Sequence, residues 1–250
     1  MKAVVKNIVT EYRDEGSGAV MLLIHGWGDN LHTFDFIVPI ISKKWRVVRI
    51  DLPGFGASDP LQTPWDVDSY SKFIKDFTDK LNIQVEILVG HSFGGRIAIK
   101  AVASKTIKPK KLVLIASAGI AKVRSVRNRF FYILAKAGKV ITFIPPFIFW
   151  RRQLRKKLYD AAGSDYLKSR ELKNTFLKVV KEDLTNFAAE ISIPTLLIWG
   201  DEDSETPLAD GKSFSKIIPG SQLKIIAGAG HFVHKEKPEE VSGLINQFAS

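Results

Sequence analysis

The sequence contains no cysteine among its 250 residues. Disulfides, thiolate metal sites and cysteine nucleophiles are therefore excluded, and the absence fits a reducing compartment. Long apolar runs are missing as well, because no stretch reaches the roughly 18 uninterrupted apolar residues of a membrane-spanning helix. The first residues also lack the apolar run that a signal peptide needs. We therefore expect a soluble, cytoplasmic protein.

The net charge of +11 comes from 37 Lys/Arg against 26 Asp/Glu, which would suit a nucleic acid or an anionic surface as partner. Its distribution weakens that interpretation. Residues 120–190 hold 16 Lys/Arg and 6 Asp/Glu, so this segment carries a net +10 and the rest about +1. No nucleic-acid-binding motif accompanies the charge, and we predict no nucleic-acid partner. A weak contact between this basic segment and an anionic membrane surface stays open as an alternative.

Short apolar runs bounded by glycine and proline alternate with segments of helical pattern. The runs occupy residues 19–26, 45–54, 85–92, 111–119, 194–201 and 222–231. They are β-branched and nearly continuous, as expected for parallel strands that are covered on both faces. Helical patterns occupy residues 69–81, 94–104, 208–217 and 238–248. The alternation predicts an α/β fold with a mainly parallel sheet, to which residues 3–12 could add an antiparallel edge strand.

The alternation stops between about residues 120 and 189, where the pattern is helical and basic. Residues 151–159, for example, place Leu154 and Leu158 on one face and charges elsewhere. We interpret this segment as a helical insertion between two strands. The predicted organisation is an α/β core formed by residues 1–119 and 190–250, with a helical cap at 120–189.

A serine stands at the end of the third run, within Gly90-His91-Ser92-Phe93-Gly94. This is the G-x-S-x-G pattern of a nucleophile elbow, a sharp strand-to-helix turn that exposes the serine hydroxyl. Neighbours two residues before and after Ser92 approach closely in such a turn, and glycine removes the side chains that would clash. The following helix points its N-terminus at the site and favours negative charge there.

A serine hydroxyl is a weak nucleophile and needs a base. Among the five histidines, His231 follows the last apolar run, at the sheet edge where Ser92 is also expected. We predict that His234 is a surface residue near a helix start and that His32 is solvated. His91 is expected to point away from its neighbour, the serine.

The base in turn needs a carboxylate that orients it and stabilises the imidazolium. Four acids follow the fifth run: Asp201, Glu202, Asp203 and Glu205. Any one of them could reach His231, and we expect the other three to be solvated.

These groups occur in the chain order Ser, Asp, His, each after its own strand. In this the sequence resembles the α/β-hydrolase superfamily. The matching motifs are HGWGDN, DLPGFGASD, GHSFGG, WGDED and GAGHF, at residues 25–30, 51–59, 90–95, 199–203 and 228–232. The resemblance covers nearly the whole chain. It implies a doubly wound, mainly parallel sheet of about eight strands, with the helical cap inserted after strand 6.

The resemblance also implies roles for individual residues. Ser92 matches the nucleophile, His231 the base, and Asp203, the third residue after the glycine of the WG strand end, the acid. The backbone amides of Phe93 and Trp27 match the oxyanion hole. A second group shapes the surroundings: His25 is implied to be structural, while Asp51 and Gly54 are implied to shape a neighbouring loop.

The activity implied is hydrolysis of a small-molecule carboxylic ester through an acyl-enzyme, with no metal or organic cofactor. A carbon–carbon bond hydrolase or an acyltransferase could use the same triad. A ligand-binding receptor with slow turnover is the alternative of a different class. The sequence leaves the substrate and the oligomeric state open.

Overall fold

The computed structural model describes residues 1–120 and 172–250 of the chain. In this part of the chain, one sheet contains eight strands in the order β1-β2-β4-β3-β5-β6-β7-β8. The strands are β1 Lys2–Val5, β2 Ile8–Glu15, β3 Val20–Ile24, β4 Arg46–Ile50, β5 Val85–His91, β6 Lys111–Ile115, β7 Thr195–Gly200 and β8 Gln222–Ile226. The six neighbouring strands β4, β3, β5, β6, β7 and β8 run parallel to one another, and β2 lies antiparallel to β4. The predicted α/β fold is confirmed.

Helices connect the strands and cover both faces of the sheet. In the described ranges they are α1 Val38–Ile41, α2 Val67–Lys80, α3 Phe93–Ala103, α4 Lys173–Lys181, α5 Thr185–Ala189, α6 Leu208–Ile217, α7 Val233–Glu236 and α8 Pro238–Ala249. Helix α3 packs on β3, β5 and β6, and α2 packs on α3. Helices α1 and α8 contact each other and share one buried apolar cluster with the inward residues of β3 to β8. The central strands are apolar on both faces for this reason.

The amino-terminal segment forms a hairpin of two strands, where the sequence predicted a single edge strand at residues 3–12. Strand β1 pairs antiparallel with β2 through a turn at Lys6 and Asn7. Both turn residues have positive φ, 49° and 65°, which is the geometry of a two-residue type I′ turn. Only β2 then joins the main sheet, by pairing with β4.

The predicted helical insertion lies between β6 and β7, but residues 121–171 are outside the described residues. The possible membrane contact of the basic segment falls on the same residues and stays a prediction, as do the boundaries of the cap. Helices α4 and α5 belong to the last part of the predicted cap, and from Asn174 onward they share one compact unit with the sheet. None of the helices in residues 1–120 and 172–250 has the length and apolar character needed to cross a membrane.

The end of α4 is attached to α3. The buried guanidinium of Arg96 donates from Nη2 to the carbonyl oxygens of Val179, at 2.6 Å, and of Glu182. Lys100, one turn further along α3, pairs with the Glu182 carboxylate at 2.8 Å. The amide of Leu184 then donates to the carbonyl oxygen of Gly119 at 2.9 Å. Leu184, between α4 and α5, therefore lies beside the chain that follows β6.

Candidate active site

Ser92 lies between β5 and α3 in a backbone conformation that non-glycine residues rarely adopt. Its φ is 51° and its ψ is −110°, a strain that costs about 1–3 kcal/mol. The surroundings hold it there: its amide donates to the carbonyl of Ile115 on β6, and its carbonyl accepts from the amide of Ala118. The strand, turn and helix are the structural context that a nucleophile elbow requires.

The glycines around Ser92 allow this turn because main-chain segments touch there. A Cβ added to Gly94 would lie 2.1 Å from the carbonyl oxygen of Ile24, at the end of β3. A Cβ on Gly90 would lie 2.5 Å from the carbonyl oxygen of Gly94. Any side chain at either position would therefore push α3 away from the strands that carry the site.

His231 and Asp203 form a buried pair at the same edge of the sheet. Nδ1 of His231 lies 2.9 Å from Oδ2 of Asp203, whose side chain is fully buried. The other carboxylate oxygen accepts from the amides of Glu205 and Thr206, at 2.9 Å each. Burial alone would raise the pKa of Asp203, but the hydrogen bonds from His231 and Thr206 outweigh it and hold that pKa below its usual value. Asp203 is thus an ionised acceptor for the histidine.

His231 contacts the residue that precedes Ser92 in the turn, His91. The ring of His91 is 4.9 Å from the ring of His231, and its Nε2 donates to the His231 carbonyl oxygen at 3.1 Å. Within the described residues, no hydrogen bond joins the Ser92 hydroxyl to His231; Nε2 of His231 instead lies 3.5 Å from the carboxylate of Glu205. Hydrogen bonds to the nucleophile often tighten only when substrate binds.

The backbone amides of Trp27 and Phe93, which the resemblance assigned to an oxyanion hole, belong to segments that pass beside Ser92. The loop at Gly26 passes directly by the nucleophile, since a Cβ there would lie 3.3 Å from Cβ of Ser92. Trp27 follows, and its ring lies 5.2 Å from that of Phe93, the first residue of α3. Among the hydrogen bonds of the described residues, none uses the amide of Trp27 or Phe93 as donor. Neither amide thus has an acceptor among residues 1–120 and 172–250.

His25 has the structural role expected of it. The completely buried ring donates from Nδ1 to the carbonyl oxygen of Gly26 at 2.7 Å and accepts at Nε2 from the amide of Leu52 at 3.0 Å. These partners require the neutral Nδ1–H tautomer. Burial lowers the pKa of His25, which keeps the ring neutral. The histidine therefore ties the Trp27 loop to the chain that follows β4.

Asp51 organises the adjoining loops, also as expected. Its carboxylate accepts from the amides of Leu31 and Ala57, at 2.7 Å each. A Cβ on Gly56 would lie 2.0 Å from that carboxylate, and Gly54 takes a φ of +88°. The carboxylate thus fixes the loop behind the site.

The predicted surface position of His234 is wrong. The ring is completely buried, with Nε2 3.0 Å from Oγ1 of Thr33 and its centroid 4.5 Å from that of His91. Burial, and then the charges of Lys235 and His231, lower its pKa to about 3. The short helix α7 turns this side chain inward, under the base. His32, in contrast, is exposed as predicted.

Sequence reasoning missed the role of Thr206. Its buried hydroxyl lies 2.8 Å from Oδ2 of Asp203, 3.0 Å from the carbonyl oxygen of Ala116 and 3.2 Å from Nδ1 of His231. The sequence offers only a threonine three residues after the acid and before a proline. Nothing in that pattern indicates that the hydroxyl turns toward the histidine.

Aromatic rings line one side of the site, and we call Trp27, Phe55, Phe93 and Phe176 the aromatic wall. The Trp27 ring lies 5.0 Å from Phe55 and 5.1 Å from Phe176, which belongs to α4. Trp27 and Phe176 are partly exposed, whereas Phe55 and Phe93 are buried behind them. Among the described residues, the wall is therefore a group of apolar rings next to the amides of Trp27 and Phe93.

The eight-stranded, mostly parallel sheet, with a strained serine between β5 and α3, is the arrangement of the α/β-hydrolase fold. The model of the alpha/beta hydrolase family matches residues 21–244. The chain belongs to this family, and the resemblance found in the sequence is confirmed.

Relatives cover nearly the full length of the chain. The Bacillus subtilis hydrolase YugF is 26% identical over 257 residues, spanning 97% of this chain and 94% of that protein. A 2-hydroxy-6-oxononadienedioate/2-hydroxy-6-oxononatrienedioate hydrolase of Klebsiella pneumoniae is 26% identical over 258 residues, spanning 97% and 87%. The solved meta-cleavage product hydrolase of Pseudomonas fluorescens superposes with a TM-score of 0.76 at 22% identity, covering 99% of this chain and 96% of that one. At this identity the superposition supports the fold alone.

Proposed function

We propose that this protein is a serine hydrolase that cleaves carboxylic esters through an acyl-enzyme. Ser92 is the nucleophile, His231 the base and Asp203 the acid. The observation that carries the proposal is the buried contact of 2.9 Å between Asp203 and His231 Nδ1, at the sheet edge where the strained elbow exposes Ser92. In this pair the carboxylate takes Nδ1 of His231, which leaves Nε2 as the nitrogen that would accept the proton of Ser92.

Acylation begins when Nε2 of His231 takes the proton from Ser92 as its oxygen attacks the ester carbonyl. The ionised Asp203 holds the ring in the Nδ1–H tautomer and stabilises the imidazolium that forms. The imidazolium then protonates the departing alcohol, and the acyl group stays on Ser92. In the second step His231 activates water, which releases the acid and restores the serine.

The negative charge of each tetrahedral intermediate would be held by the amides of Trp27 and Phe93. Loss of one such donor typically slows an enzyme about 100- to 1000-fold, so this contribution is large. The N-terminus of α3 adds a favourable dipole at the same place. The aromatic wall beside these amides suits an apolar part of the substrate.

A carbon–carbon bond hydrolase is the second candidate, supported by the Klebsiella relative, whose name describes a keto dicarboxylate as its substrate. The same triad and oxyanion amides would serve, with a carbon leaving group in place of an alcohol. A panel of p-nitrophenyl esters of graded chain length, with one lactone and one vinylogous diketone, separates the two candidates. The ester proposal expects the highest kcat/KM on an ester, and the highest value on the diketone would contradict it.

The role of the nucleophile is tested by Ser92→Ala. We expect p-nitrophenyl ester hydrolysis to fall by about 10⁴-fold or more and labelling by a fluorophosphonate to be lost, while the melting temperature stays at or above that of the parent protein. Ser213→Ala, on the surface of α6, is the matched control and should behave as the parent. Full esterase activity in Ser92→Ala would overturn the proposal. Fluorophosphonate labelling without measurable turnover of any substrate would indicate a binding protein on this scaffold.

A further inference from the structure

His91 connects the two chain segments that carry the proposed nucleophile and base. It is the last residue of β5, directly before Ser92, and its side chain is buried. Its Nε2 donates to the carbonyl oxygen of His231, 140 residues away in the chain, at 3.1 Å. Within residues 1–120 and 172–250, no other hydrogen bond joins residues 90–94 to residues 229–234. The hydrogen bond of His91 is therefore the direct polar link between the elbow and the segment after β8.

The imidazole of His91 also packs against the base itself. The centroids of the His91 and His231 rings lie 4.9 Å apart, with an angle of 51° between the ring planes. The His234 ring lies 4.5 Å from His91, and a Cβ on Gly26 would lie 3.0 Å from Nδ1 of His91. These contacts restrict rotation of the ring, so its Nε2 stays directed at the His231 carbonyl.

The hydrogen bond also fixes the protonation state of His91. A carbonyl oxygen only accepts, so the ring proton lies on Nε2. Nδ1 has no hydrogen-bond partner in the part of the chain that the structure describes. Burial, and then the neighbouring His234 and His231 rings, lower the pKa of His91 well below its usual value. His91 is therefore neutral, and it does not repel the imidazolium that forms on His231 during the reaction.

The position of the base relative to the nucleophile governs proton transfer. Asp203 and Thr206 contact the His231 ring at Nδ1 and thereby orient it. Transfer from Ser92 additionally requires Nε2 of His231 to come within about 3 Å of the hydroxyl oxygen. A misplacement of about 1 Å can slow such a step about 100-fold. Because His91 precedes Ser92 and binds the main chain of His231, its hydrogen bond bears on this separation.

We propose that His91 is a positioning residue for the base. Its hydrogen bond to the His231 carbonyl holds the main chain of the base at the distance from the elbow that proton transfer requires. This inference rests on the proposed roles of Ser92 and His231. It goes beyond them, because those roles assign nothing to the side chain between Gly90 and Ser92.

The test compares side chains at position 91 that differ in their reach. His91→Gln places an amide N–H where Nε2 stands, whereas in His91→Asn the same group falls one methylene short of the His231 carbonyl. His91→Met fills the space of the ring without a donor, so the comparison does not depend on the folding of a single variant. Ile87→Val, four residues earlier in β5 and completely buried, is the control for a loss of stability alone.

Two rates are measured well below the melting temperature of each variant. The first is the second-order rate of labelling by a fluorophosphonate, in which the Ser92 oxygen bonds to phosphorus as fluoride leaves and Nε2 of His231 takes the hydroxyl proton. The second is kcat, with KM, for p-nitrophenyl butyrate. We expect His91→Asn and His91→Met to lower both rates about 10- to 100-fold, with KM within about twofold of the parent. His91→Gln should stay within about threefold of the parent, and Ile87→Val should match it.

The inference is overturned if His91→Gln is no faster than His91→Asn and His91→Met, whether all are slow or all match the parent. A loss in Ile87→Val as large as that in His91→Asn would overturn it as well. Labelling keeps the inference separate from the proposed function. If the parent hydrolyses no ester, ester hydrolysis is overturned, while the labelling rates of the variants still decide the role of His91. A parent protein that is not labelled at all would overturn both.

Discussion

The hydroxyl oxygen of Thr206 lies 2.8 Å from Oδ2 of Asp203, the same oxygen that Nδ1 of His231 meets at 2.9 Å. A hydroxyl carries a single proton, and this one has a second acceptor in the carbonyl of Ala116 at 3.0 Å. When Asp203 takes that proton, the hydroxyl stabilises the carboxylate and contributes to holding the pKa of Asp203 low. The buried pair is therefore a network of three side chains.

Replacing Thr206 by valine keeps the shape of the side chain and removes the hydroxyl. Hydrogen bonds to charged groups contribute about 1.5–3 kcal/mol, so we expect kcat/KM for a p-nitrophenyl ester to fall about 10- to 100-fold. Thr206→Ser, which retains the hydroxyl, should recover most of the activity. Equal kcat/KM values for the valine and serine variants, measured with their melting temperatures, would show that the hydroxyl plays no part.

Gly94 and Gly243 provide a matched pair of glycine-to-alanine changes, both within helices. At Gly94 the new methyl would meet the backbone of Ile24 at 2.1 Å, whereas at Gly243 nothing lies within 4 Å. We expect Gly94→Ala to lower the free energy of unfolding by about 3 kcal/mol or more. Gly243→Ala should raise it by about 0.5–1 kcal/mol through helix propensity. Urea unfolding measures both, and equal stability of the two variants would contradict the close contact at the elbow.

Stability should depend on pH through three buried histidines. Burial lowers the pKa values of His25, His91 and His234 below the usual 6.5, that of His234 to about 3. Below pH 6.5 these histidines bind protons in the unfolded chain but stay neutral in the folded protein. The free energy of unfolding therefore decreases as the pH falls from about 6.5 toward 3. Each histidine contributes up to about 1.4 kcal/mol per pH unit in this range.

Urea unfolding between pH 8 and pH 5 measures this loss. In His234→Gln the slope of unfolding free energy against pH should be smaller by about one proton, while above pH 7.5 the slopes of both proteins should agree. A parent protein whose stability is flat from pH 8 to pH 5 would contradict the buried, neutral state of these rings.

The sheet, and the meeting of Asp203 with His231 at the edge where β5 ends at Ser92, could be predicted because both follow from the pattern of the chain. Runs that are apolar on both faces indicate parallel strands, and parallel strands end at one edge, so residues that follow the runs must meet there. The choice among four neighbouring acids came from the family resemblance, and the structure places Asp203 against the histidine.

The misses involve contacts that local pattern does not encode. His234 is buried because it meets Thr33, 201 residues away in the chain, and nothing near it in sequence indicates that. The turn at Lys6 and Asn7 lacks the glycine that usually marks a hairpin. The sequence pattern of β1 and β2 was therefore interpreted as a single strand. Thr206 and Glu205 lie in a polar turn, and the hydrogen bonds from their backbone amides to Asp203 are not visible in the sequence pattern.

The hydrogen bond between Leu184 and Gly119 bears on how such a protein can diversify. This hydrogen bond holds the two chain segments together whatever the length of the chain between residues 120 and 172, so a change of length there leaves the contact in place. Doubling a flexible loop costs only about 0.6 kcal/mol in closure entropy, far less than the whole stability of a domain. The strained turn at Ser92 and the contact between Asp203 and His231 can thus stay unchanged while that part of the chain varies in length.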